Sequence, residues 1–199
     1  MTLGGRAAIA GIGTTEFSKD SGRSELRLAV EAVSAALDDA GVDSSEVDGM
    51  VTFTMDSNEE IEVARNVGTG DLTFFSRVHY GGGAACATVH QAAMAVATGA
   101  ANVVVCYRAL NGRSWSRFGT STHAKPTASS IHYSWYIPFG LTTPAGWVAM
   151  FARRYMHAFG ATSEDFGRVA VSHRRHAAAN PAAWFSGKPI TLEDHQSSR

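Results

Sequence analysis

The chain has 199 residues, 45% apolar and 18% charged, the profile of an ordinary globular chain rather than a disordered or fibrous one. Its formal net charge of −1 excludes binding to nucleic acid or an anionic membrane driven by bulk charge. No apolar run approaches the roughly 18 to 20 residues that cross a bilayer.

The opening Met1–Arg6 lacks the charged-then-apolar layout of a secretory signal. Cys86 and Cys106, the only cysteines, lie in Ala/Val-rich stretches that suit reduced thiols, so a cytoplasmic location is expected. Arg6 to Gly13 is a short run of small apolar residues ending in glycine, the pattern of a buried strand entering a turn. Ser24 reads as an N-cap for a helix over Glu25–Ala40, where Leu26, Val30, Val33 and Leu37 recur at helical spacing and Gly41 stops the run. Val47 to Met55 reads as a strand, Glu59 to Val67 as a short helix ended by Gly68, and Leu72 to Val78 as a β-rich strand.

Gly81-Gly82-Gly83 then turns the chain into a helix of small residues, Ala84 to Thr98, closed by Gly99. Asn102 to Tyr107 reads as a buried strand. Such alternation of strand and helix places the chain in the α/β class, a sheet with helix crossovers. From Asn111 to Gly140 the periodicity fails, and Trp115, Phe118, Tyr133, Trp135 and Tyr136 accumulate. An irregular segment of that length reads as a lid or an interface loop. Pro144 opens a helix through Phe159, Ser163 caps another that carries His173, Arg174, Arg175 and His176 towards its end, and the tail to Arg199 shows no closing element.

Chemistry concentrates at the glycine turn. Strand, tight turn and a helix of small residues let a ligand approach unpaired N–H groups at a helix start, which can stabilise an oxyanion. Gly82, Gly83 and Ala84 are the candidate donors. The structural alternative is that glycines merely make a tight turn and small residues let the helix pack deeply. His79 before the turn and Cys86 inside the helix are further catalytic candidates, each set against an ordinary structural role. His90 and Cys106 read as structural, and His173 with His176 lack a third ligand, so no metal is expected. Arg153 and Arg154 suit either a phosphate contact or a solvated helix edge.

The unit ending in Ala97-Thr98-Gly99-Ala100-Ala101-Asn102-Val103-Val104-Val105 resembles the nucleophile helix and following strand of thiolases, and Ala8 to Phe17 resembles their first strand and turn. Leu141 to Ala145, Ala152 to Met156 and Gly187 to Thr191 are similar to the lipid-transfer-protein or sterol-carrier type of thiolase, and most of all to the steroid side-chain-cleaving aldolases of actinobacteria. The resemblance spans the chain but about the first half of the family's length. It implies a thiolase-like layered fold with a mixed sheet, the first of two pseudo-repeated halves, over residues 1–199, with the second half absent. The family pattern puts the nucleophilic cysteine seventeen residues before Gly99, where this chain has Gly82. Cys86 lies four residues on, roughly 6 Å along a helix axis.

A thiolase without its thiolate forms no acyl-enzyme. The resemblance therefore implies retro-aldol cleavage of a steroid side-chain β-hydroxyacyl-CoA to a ketosteroid and propionyl-CoA. It further implies no resident cofactor beyond the CoA thioester substrate, acid and base residues in the second half, a homodimer, and an OB-fold, zinc-ribbon partner holding the acyl-CoA. Tyr136 and Thr143 are the candidate substrate-binding residues. The alternatives are a thiolase-type acyltransferase using a displaced Cys86, and a non-catalytic half that binds lipid or acyl-CoA.

Overall fold

A computed structural model describes residues 4–53, 58–79, 83–112, 134–141 and 143–198. The chain divides into two compact units, Met1–Ser121 and Thr122–Arg199, with the break inside the segment where periodicity fails.

The first unit is built on a parallel sheet. Strands β1 (Gly49–Phe53), β2 (Phe74–Val78) and β3 (Val104–Cys106) lie in the order β2-β1-β3, with Gly49 opposite both Phe74 and Val104. Helix α1 (Glu25–Ala40) precedes β1, α2 (Glu60–Val67) joins β1 to β2, and α3 (Ala84–Thr98) joins β2 to β3. Because successive strand residues point to opposite faces, β1 serves two cores. Met50 packs with Leu28, Val33, Leu37 and Val63 of α1 and α2, whereas Val51 and Phe53 pack with Ala84 and Ala92 of α3. Helices on both faces leave every residue of β1 buried, as a central parallel strand requires.

Capping fixes the helix limits. Ser24 accepts a hydrogen bond from Arg27 N at the start of α1, and Gly41 ends it in the left-handed region at φ 64°. Gly68 and Gly99 end α2 and α3 in the same way. The start of β3 is pinned by Asp48, whose carboxylate accepts from Asn102 N, Asn102 Nδ2 and Val103 N at 2.9–3.0 Å.

Three sequence expectations are corrected in this unit. Residues 6–13 form no strand. The segment lies on α1, where a Cβ on Gly11 or Gly13 would sit 2.3 Å from Ala36 O or 2.2 Å from Ala32 O. Ile12 N bonds the Asp39 carboxylate at 2.9 Å rather than a neighbouring strand, and the Ile9 and Ile12 side chains remain exposed. Strand β3 is shorter than expected and only half-buried, because one side of it has no strand partner among the described residues. Cys86 is exposed rather than a small buried residue, since it lies off the Ala84–Thr88–Ala92 face that meets the sheet. Cys106 keeps solvent-accessible surface as well.

The second unit is helical: α4 (Pro144–Phe159), α5 (Ser163–Ala179) and α6 (Leu192–Ser197). Here Thr162, not Ser163, is the N-cap of α5, because its hydroxyl and the Asp165 carboxylate form a capping box. The tail expected to lack a closing element instead forms α6, capped by Thr191 with Asp194. Within the irregular segment Ile137–Phe139 forms a 3-10 turn, ended by Gly140 at φ 77°. Trp115, Phe118 and Tyr133 lie outside the described residues. Among the described residues no helix is long and apolar enough to cross a membrane.

Candidate functional site

Helix α3 begins where β2 ends, and its first turn is left open. Gly83 is the N-cap, no side-chain cap is made among the described residues, and Ala87 N makes the first intrahelical contact, to Gly83 O at 3.1 Å. The preceding N–H groups have no acceptor within the helix and carry the positive end of its dipole. Gly83 adopts ordinary right-handed angles, φ −74° and ψ −14°, so its backbone does not require glycine. A Cβ there would meet nothing within 4 Å. Neither backbone conformation nor crowding among the described residues demands glycine at this position. Ala84 is buried beside it, and Gly82 lies outside the described residues.

A side-chain bond ties the helix to the sheet, Ser76 of β2 donating to the Gln91 side chain, while Thr88 Oγ1 donates within α3 to Ala85 O at 2.6 Å. Burial among neighbouring atoms pushes the Cys106 thiol up to about 11, although a Thr88 hydrogen bond pulls the other way and part of the side chain reaches solvent. At neutral pH that thiol is protonated and a poor nucleophile. Cys86 stands exposed in the first turn of α3, and His79 is exposed at the end of β2. Arg108, just past the end of β3, stacks on the Phe53 ring at 4.8 Å.

In the second unit the two substrate-binding candidates share one corner. Thr143 caps α4, its hydroxyl accepting from Gly146 N at 3.4 Å. Tyr136 meets Trp147 of α4 edge to face, with centroids 5.9 Å apart and planes at 70°. A cavity of about 330 Å³ is lined by Trp135, Tyr136, Phe139, Gly140, Leu141 and Met150, so Tyr136 borders it whereas Thr143 is not among its lining residues. Phe139, Leu141 and Met150 escaped the sequence reading because apolar residues in an aperiodic stretch or on a helix look like core. His173 and His176 are exposed on α5, and one of the two arginines between them, Arg174, stacks on Phe185 at 3.9 Å and donates to Lys188 O.

These features match known proteins closely. The chain is 68% identical over 99% of its length to a steroid side-chain-cleaving aldolase of Thermomonospora curvata, of which it covers 51%. It is 64% identical over the same share to a 17-hydroxy-3-oxo-4-pregnene-20-carboxyl-CoA lyase of Mycobacterium tuberculosis, covering 52% of that protein. The chain thus spans about half the length of the curated relatives it matches. Among solved structures, an Ltp2-ChsH2(DUF35) aldolase superposes with a TM-score of 0.91 at 69% identity, over 99% of this chain and 50% of the other. A monomeric SCP2-thiolase-like protein of Mycobacterium smegmatis shares the fold, with a TM-score of 0.67 at 22% identity, over 96% and 39% of the two chains. The thiolase N-terminal domain matches residues 7–198. Sheet, open helix start and sequence match agree, and the chain belongs to the thiolase family as an N-terminal thiolase domain.

Proposed function

We propose that this domain serves a retro-aldol lyase acting on a β-hydroxyacyl-CoA that carries a steroid side chain, yielding a ketosteroid and propionyl-CoA. The identity of 68% and 64% to two proteins named for that chemistry carries the reading. Glycine at position 82, where the family pattern has its nucleophile, agrees with chemistry that needs no acyl-enzyme.

In the reaction a base removes the proton of the β-hydroxyl, whose oxygen becomes the ketone as the carbon–carbon bond breaks. The released electron pair moves into the thioester as an enolate, which an acid protonates on carbon to give propionyl-CoA. The N–H groups at Gly83 and Ala84 suit the enolate oxygen, being held in the first turn of α3 before the reaction, with open space at the Gly83 Cβ position. By the family resemblance, the acid and base are expected in the second thiolase half. A homodimer and an acyl-CoA-holding OB-fold partner complete the proposal; a solved relative whose name joins Ltp2 and ChsH2(DUF35) supports a partner protein in general.

The test is incubation of the full-length protein, with and without that partner, with a 17-hydroxy steroid side-chain CoA thioester. Release of propionyl-CoA, followed by mass spectrometry, is expected. No release by either preparation, while a characterised relative reacts in parallel, overturns the reading.

A further inference from the structure

The cavity in the second unit differs in chemistry from its surroundings. Although α4 and α5 carry many arginines, none of the residues lining it is charged. Its volume of about 330 Å³ falls at the lower end of the roughly 300–1,000 Å³ typical of small-molecule sites. The walls are formed in advance. Phe139 N and Leu141 N both bond Tyr136 O, at 3.1 and 3.2 Å, and Gly140 N bonds Ile137 O at 2.9 Å, so the turn carrying Trp135, Tyr136 and Phe139 is fixed. The edge-to-face contact of Tyr136 with Trp147 ties that turn to α4. On the other wall Leu141 lies so close to α4 that a Cβ on Gly146 would stand 2.8 Å from Leu141 Cδ1.

We propose that this groove is the subsite for the fused-ring portion of the substrate, a refinement that rests on the lyase reading above. Trp135 and Phe139 are 73% and 86% exposed, flat apolar surfaces that a rigid ring system would cover at small entropic cost. Met150 opposes them with an unbranched side chain that adapts to an irregular ring edge. The hydrogen-bonding side chains of the lining are the Trp135 indole N–H, a donor, and the Tyr136 hydroxyl, able to donate. Both can donate to a ring carbonyl, and the lining offers no charged side chain that a neutral ring system would leave unpaired. The ligand class is therefore an uncharged, fused-ring skeleton bearing a carbonyl, which is also the product ketone of the reaction.

The test uses the full-length protein with its partner, titrated separately with the ring ketone that lacks CoA and with propionyl-CoA that lacks rings. Trp135→Ala and Met150→Ala are expected to weaken the ketone by about tenfold or more and propionyl-CoA far less. Unchanged melting temperatures confirm folded variants, Trp135 being exposed enough for its truncation to leave the interior intact. The proposal is overturned if wild type does not bind the ketone, if both ligands weaken alike, or if neither weakens. It is overturned too if the variants change only the oligomeric state, which would assign the groove to a contact between copies. Ketone binding that responds to Trp135→Ala without any propionyl-CoA release would reject the lyase reading while leaving the ring site standing.

Discussion

Asp48 shows how one side chain can fix an element. Burial opposes its charge, but N–H donors from Val103 and Asn102 outweigh that and hold the carboxyl below its ordinary 3.8. The depressed value means the stabilisation is present above the unfolded pKa and is lost as pH falls through the folded one. Asp48→Asn should destabilise the protein by about 1–2 kcal/mol, in the lower range for charge-assisted bonds because the carboxylate is partly solvated. Denaturant melts should show the full gap at neutral pH and its closure in acid below 3.8. A gap that persists unchanged in acid would show that lost shape, not lost charge, was responsible.

Gly83 and Cys86 make a complementary pair at the same scale. Gly83→Leu meets no obstacle at Cβ and no backbone strain, so the fold should survive. If the open turn receives the enolate, however, kcat of the full-length enzyme should fall by about a hundredfold or more. Cys86→Ala should leave the rate largely intact, since the lyase chemistry uses no thiolate. The opposite pattern, with Gly83→Leu active and Cys86→Ala dead, would favour an acyltransferase.

Among elements, the N-terminal segment is the instructive one. Small residues at Ala8, Ala10, Gly11 and Gly13 look like a tightly packed strand in the sequence, and tight packing is indeed what they provide. The partner is the backbone of α1 rather than a strand, which no period-two pattern could reveal. Gly13→Ala should cost about 1–3 kcal/mol and free the segment from α1. Limited proteolysis should then cut within the first twenty or so residues faster than in wild type; equal cleavage rates would refute the close approach. By contrast α1, α2, α3 and α4 were legible nearly to the residue, because each carries its own stop signal in Gly41, Gly68, Gly99 and Gly160. Strand β3 was over-read, since a run of valines says what can be buried and not what is there to bury it.

At the scale of the whole molecule, apolar surface dominates the expectation. Both hydrophobic clusters lie in the first unit. Helix α4 has no buried residue, and Val148, Phe151, Tyr155 and Phe159 form an exposed stripe at helical spacing. In the first unit Ile9, Ile12, Phe17 and Phe75 are 70–80% exposed. Surfaces of that kind mark contacts with other protein. This 199-residue polypeptide expressed alone should therefore self-associate, as sedimentation would show. A dilute monomer with a sharp cooperative melt would refute that expectation.

What the sequence determined by itself is local or cumulative: helix limits set by caps, the α/β alternation, the glycine at position 82, and membership of a family recognised through motifs in order along the chain. These depend on neighbouring residues or on pattern, both of which a linear text contains. Only the tertiary structure decided which surfaces meet. It laid residues 6–13 on α1, opened the Gly83 turn to free space, exposed Cys86, and gathered Trp135, Phe139 and Met150 round one uncharged cavity. Each of those outcomes depends on side chains or backbone brought together across sequence separation, where apolar character specifies burial without naming the partner.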